Sequence, residues 1–174
     1  MYKNIFITGP PGSGKSTLLM QIVRDLERMG FRVRGILCPE LRERGKRVGF
    51  RVITYPEGAE EILASIYIRD GPKVSKYRVN INGFERVGVS YLESNLASPE
   101  THIIIIDEIG KMELYSDRFR LVVKRILDSE KVVLGVLGKV NDPLVINIRS
   151  RKDTKIFEIR RGVGRDYLNS IRKH

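Results

Sequence analysis

A chain of 174 residues can bury a core of its own as one compact domain and is short for two. Hydrophobic residues make up 41% and charged residues 30%, and the glycines and prolines are scattered, which excludes a fibrous repeat or a low-complexity chain. The net charge of +11 sits in two segments, with seven Lys/Arg against two acids in residues 32–51 and nine against three in residues 149–174.

In chain order, residues 5–8 predict a buried strand, too short for a secretion signal or a membrane span, so a cytoplasmic protein without membrane contact is expected. Residues 15–29 place Leu18, Leu19, Ile22, Val23, Leu26 and Met29 on one helical face, and Gly30 ends that helix. Strands follow at 32–38 and 47–55, and an antiparallel hairpin turning near residues 43–46 is plausible there. Cys38 is the single cysteine, so no internal disulfide forms and no cysteine cluster holds zinc. Between residues 58 and 99 the pattern is mixed, with a short strand at 77–81 and a helix around 84–95. Ile103, Ile104, Ile105 and Ile106 mark a central strand covered on both faces. Phe119, Val122, Val123, Ile126 and Leu127 have helical spacing, with Ser116 or Asp117 as N-cap. A buried strand at 132–137, a short helix from Pro143, a strand at 155–159 and a C-terminal helix from about Arg165 complete the chain. Strands alternating with helices mean an α/β fold, a largely parallel sheet flanked by helices, with the hairpin added.

The run Gly9-Pro10-Pro11-Gly12-Ser13-Gly14-Lys15-Ser16 satisfies G-x-x-x-x-G-K-[ST] and lies between a predicted strand and a predicted helix, as a P-loop must. Its glycines let backbone N–H groups wrap phosphate oxygens at the positive end of the helix. Lys15 is expected to reach the β- and γ-phosphates, Ser16 to offer its hydroxyl to Mg²⁺, and Thr17 to join the nucleotide contacts. The isoleucine strand ends in Asp107 and Glu108, which reads as a Walker B element, with Asp107 serving Mg²⁺ and Glu108 taking a proton from the attacking water. Lys111 is a candidate phosphate contact and Glu113 a support for water or metal, with a plain surface pair as the alternative. Lys139 becomes a candidate sensor of the γ-phosphate if the 132–137 strand lies between the P-loop and Walker B strands, an order that we expect. His102 and His174 are assigned no role.

These residues resemble the THEP-type nucleoside triphosphatases, small P-loop proteins similar to the RecA-like branch. The resemblance spans almost the whole chain. It includes Arg47-Val48-Gly49-Phe50, Lys76-Tyr77-Arg78-Val79, Phe84-Glu85 and the octapeptide Asp107-Glu108-Ile109-Gly110-Lys111-Met112-Glu113-Leu114. Arg165-Asp166 resembles the family's NRD-like signature, with Gly164 where asparagine is expected, and on that basis Arg165 is placed among the nucleotide contacts. The resemblance implies Mg²⁺-dependent hydrolysis of several nucleoside triphosphates with little discrimination between bases. A monomer is expected. Two other readings stand beside it: a small P-loop kinase, against which the acid next to Asp107 speaks, and a nucleic-acid module built on the basic segments, for which no aromatic-studded motif is present.

Overall fold

Residues 1–160 are described by a computed structural model. At its centre, β8 (Ile103–Ile109) sends Ile104 and Ile106 into one hydrophobic core and Ile103 and Ile105 into another, one on each face of the sheet. All four are at most 3% exposed, and burial of each contributes about 1.5–3 kcal/mol. The strand is flanked in parallel by β9 (Val132–Leu137) and β2 (Val33–Leu37), while β9 continues in parallel to β1 (Asn4–Thr8) and β1 to β10 (Thr154–Glu158). The expected order is therefore observed: β9 lies between the P-loop strand β1 and the Walker B strand β8, not the adjacent arrangement of the kinase and GTPase branch.

On one face α1 (Lys15–Arg28) packs Leu18, Leu19 and Val23 against Ile7, Val33, Ile105 and Val136. Met29, assigned to the same stripe from its spacing, is the C-cap and is exposed, because the helix has already ended. The opposite face is covered by α4 (Asp117–Asp128), α5 (Pro143–Ser150) and the helical run α2 (Ile81–Phe84), a π-helical turn (Glu85–Val89) and α3 (Ser90–Ala97). Ser116 caps α4 by accepting from the Phe119 N–H at 3.0 Å, which decides between the two predicted caps.

The added hairpin is larger than the sequence pattern showed. β4 (Lys46–Tyr55) pairs antiparallel with β2, with β3 (Glu40–Glu43) and with β5 (Glu60–Ser65), and β7 (Tyr77–Val79) and β6 (Lys73–Val74) continue the sheet. β5 escapes sequence reading because Glu-Glu-Ile-Leu-Ala-Ser neither alternates nor favours a strand, and pairing with β4 overrides that preference. The predicted strand at 77–81 stops at Val79, since Asn80 caps α2 by accepting from the Gly83 N–H at 3.2 Å. The C-terminal helix expected from Arg165 lies outside the described residues.

β2 and β8 approach so closely that a Cβ on Gly35 would meet the Ile105 carbonyl oxygen at 1.9 Å. Gly35→Ala is therefore expected to lower stability by about 1–3 kcal/mol, read as a shifted urea midpoint at unchanged slope. An unshifted midpoint would mean that the two strands are not held at this separation.

Candidate active site

The parallel strands β1, β9, β8 and β2 finish on one edge of the sheet, where open α/β sheets bind ligands. Residues at those ends are Gly9, Gly138, Asp107 with Glu108, and Cys38. The loop from β1 into α1 turns through Gly12 and Gly14 at φ of 74° and 90°, a conformation that side chains disfavour. Gly14 caps α1 without a side-chain hydrogen bond, and no acid occupies the first helical turn. The first N–H groups and the positive helix end are thus left for an anion. Lys15 Nζ donates to the Gly9 carbonyl at 2.8 Å, which folds the ammonium back over the loop. Ser13 Oγ is buried in the loop without a hydrogen-bond partner among the described residues.

Opposite the loop, three carboxyl groups are drawn together by β8 and the turn after it. Burial raises the Asp107 pKa, while the hydrogen bond from Ser16 and the charge of Lys15 oppose the rise. Burial also raises Glu108, Lys15 pulls it back, and the Asp107 charge pushes it further up. Glu113 is 3% exposed and accepts the Gly110 N–H at 3.2 Å. Its carboxyl is raised most, first by burial and then by the Glu108 charge. The two glutamates converge on Gly110, where an added Cβ would lie 2.9 Å from Glu108 Oε1 and 3.1 Å from Glu113 Oε2. The Asp107–Glu108 peptide is cis.

A cleft of about 370 Å³ is lined by Gly9, Pro10, Pro11 and Lys15 together with Glu108, Gly110, Lys111, Glu113 and Lys139. A cation and an uncapped helix end facing carboxylates across one cleft suit a phosphorylated ligand and its countercharge. The family described as NTPase matches residues 4–171. Nucleoside-triphosphatase THEP1 of Thermotoga sp. (strain RQ2) is 46% identical over 167 residues, which cover 96% of this chain and 92% of the relative. The chain belongs to the THEP1 nucleoside-triphosphatase family.

The THEP1 likeness extends to a mouse cancer-related nucleoside-triphosphatase homolog, 36% identical over 98% of this chain and 93% of its own length. Among solved structures, THEP1 from Aquifex aeolicus superposes with a TM-score of 0.80 at 37% identity, covering 97% of this chain and 96% of that one. A human cancer-related nucleoside triphosphatase gives 0.78 at 32% identity, covering 98% of both chains.

Within this THEP1 fold, the P-loop, Lys15, Glu108, Lys111 and Lys139 share one cleft. Ser16 and Thr17 are exposed in the first turn of α1, and Ser16 is near enough to Asp107 to oppose the rise in its pKa. Lys139 is 53% exposed and its ammonium is 2.7 Å from Glu158 Oε1, so it stands at the rim already paired. Arg165 falls outside the described residues. His102 is occupied structurally, its Nδ1 accepting the Arg32 N–H at 2.9 Å. Sequence reading missed the apolar side of the cleft, Cys38, Phe50, Val74, Met112 and Val140. Cys38 was detectable, because it ends the predicted strand 32–38. Phe50 sits on the predicted strand 47–55, whereas Val74 was not detectable, because only the unpredicted part of the antiparallel extension brings it there.

The first basic segment is largely neutralised. Arg32 pairs with Glu100, Arg34 with Glu57, Arg42 and Arg47 with Glu40, and Arg51 with Glu60. Each exposed pair adds about 0–1 kcal/mol at most to stability, but together they remove most of a continuous positive face. Among the described residues no helix is long and apolar enough to cross a membrane.

Proposed function

We propose that this chain hydrolyses nucleoside 5′-triphosphates to the diphosphate and phosphate in a Mg²⁺-dependent reaction with low base selectivity. The observation that carries it is the cleft itself, in which Lys15 and the uncapped end of α1 face Glu108. The P-loop N–H groups bind the phosphate oxygens, and Lys15 leaves the Gly9 carbonyl for the β- and γ-phosphates. Glu108, buried yet held toward its charged form by Lys15, orients a water and takes its proton as the water oxygen bonds to the γ-phosphorus. The bond from that phosphorus to the bridging oxygen breaks, and the diphosphate leaves with its new charge beside Lys15.

The hydroxyl of Ser16 and the carboxylate of Asp107 are neighbouring hard oxygen donors, and they fit Mg²⁺. Among the described residues no group of three or more His, Cys, Asp or Glu is arranged to hold a metal. Two protein donors suit an ion that arrives with phosphate and keeps several waters. Held by Ser16 and Asp107, Mg²⁺ would supply positive charge against the phosphates. Asp107→Asn is expected to raise the Mg²⁺ concentration needed for half-maximal turnover, measured by Mg²⁺ titration at saturating ATP. An unchanged Mg²⁺ requirement would remove Asp107 from the metal.

Low base selectivity is supported by the polar side chains of the cleft. Lys15, Glu108, Lys111 and Lys139 are charged groups suited to phosphate and water, and the chain has no Asn-Lys-x-Asp element for guanine. The kcat/KM values for ATP, GTP, CTP and UTP are expected to agree within about a hundredfold, or about 2.7 kcal/mol. A wider spread would reveal a buried base-reading pocket. Exclusive appearance of labelled γ-phosphate as inorganic phosphate separates hydrolysis from transfer to an acceptor.

A further inference from the structure

A second cavity, of about 490 Å³, opens beside the nucleotide cleft and shares Val74, Lys111 and Val140 with it as a common wall. Lys111 and Glu108 both line that cleft, so this cavity adjoins the space in which Glu108 is proposed to act. Its floor is rigid. Arg120 donates to both oxygens of Asp142 at 3.0 and 2.6 Å and to the Leu114 carbonyl at 2.7 Å, and Asp142 in turn caps α5 through the Leu144 N–H at 2.8 Å. That pair cancels its own charge. The remaining charged lining residues, Lys73 and Lys111, have no ion-pair partner among the described residues. Beside them the Tyr115 ring is 48% exposed.

We propose that this cavity binds a second phosphorylated ligand, a nucleoside monophosphate, with its phosphate between Lys73 and Lys111 and its base against Tyr115. Two ammonium groups match the roughly two negative charges of a phosphomonoester. An exposed aromatic ring stacks any base without reading its edge, at about 1–3 kcal/mol per base. The volume lies in the range of small-molecule sites, about 300–1,000 Å³, whereas a nucleic-acid strand needs a longer cationic track. Because Lys111 belongs to both cavities, the monophosphate and the bound triphosphate are neighbours. The inference rests on the P-loop holding the triphosphate.

Calorimetric titration of the full chain tests it. The protein is first saturated with Mg²⁺ and a non-hydrolysable triphosphate analogue, then titrated with AMP, CMP or inorganic phosphate. One monophosphate is expected to bind with Kd below about 1 mM, and Lys73→Glu to weaken it at least about tenfold. Tyr115→Ala is expected to bring AMP down to the affinity of inorganic phosphate. Analogue affinity and hydrolysis without monophosphate stay at wild-type values in Lys73→Glu, which shows that the variant folds. Analogue bound without any saturable monophosphate binding overturns the second site alone. So does binding that Lys73→Glu leaves unchanged, or inorganic phosphate binding wild type as tightly as AMP. Failure of the analogue itself to bind overturns the P-loop reading, and this inference with it.

Discussion

Glu108→Gln is expected to lower kcat by about 10²–10⁴ while changing nucleotide affinity less than about tenfold. The substitution keeps the shape of the side chain and removes the atom that takes the proton. Glu108 is neither in the P-loop nor one of the two proposed metal donors, so nucleotide binding is expected to persist while the chemical step slows. Single-turnover hydrolysis, with analogue binding measured separately, distinguishes the two effects. Wild-type turnover in Glu108→Gln would transfer the role to another group, and Glu113 is the nearest one available. Its carboxyl meets Glu108 at Gly110, but it is fully enclosed and pushed toward the neutral form, which makes it a poor base while Glu108 is charged.

Lys15→Ala is expected to reduce kcat/KM by about 10²–10³ or more, the scale of losing one preorganised electrostatic contact to the transferring group. Lys15 acts at two places in this fold. Its ammonium is the cation of the loop, and its charge also opposes the burial that drives both Asp107 and Glu108 toward protonation. Its loss therefore weakens phosphate binding and, at the same time, lets the Glu108 pKa rise further. A raised pKa keeps the carboxyl protonated to higher pH, so residual activity in Lys15→Ala should need more alkaline conditions than wild type. A pH–rate profile measured beside the loss of rate checks this second effect. An identical acid limb in both proteins would show that Lys15 does not tune the carboxylate.

Much of the site was legible because its chemistry is local in sequence. The P-loop needs glycines at fixed offsets before a lysine and a hydroxyl, and Gly12 and Gly14 adopt the positive φ that such a turn demands. The Walker B strand announces itself by four isoleucines, since a strand covered on both faces has no polar side to show. The same two-sided burial made β1 and β9 readable, and the resemblance of the octapeptide after Ile106 named the family before the geometry was known.

Other features depend on partners distant in sequence. β5 is a strand because β4 lies beside it, and the local preference of its residues argues otherwise. Residues 32–51 carry a charge excess in sequence, yet Glu57, Glu60 and Glu100 reach it from outside the segment and neutralise most of it. Likewise the spacing of Lys139 said only that it follows a buried strand, whereas its pairing with Glu158 comes from β10 closing on β1. By itself the sequence determined the glycine-rich loop, the paired acids at the end of the isoleucine strand and the α/β class, because backbone conformation and hydrophobic period are properties of neighbouring residues. Only the tertiary structure decided the extent of the antiparallel extension, the burial of Glu113 against Glu108 and the cavity behind Lys111. Each of these depends on which desolvated groups meet across the sheet, and spacing along the chain carries no information about that.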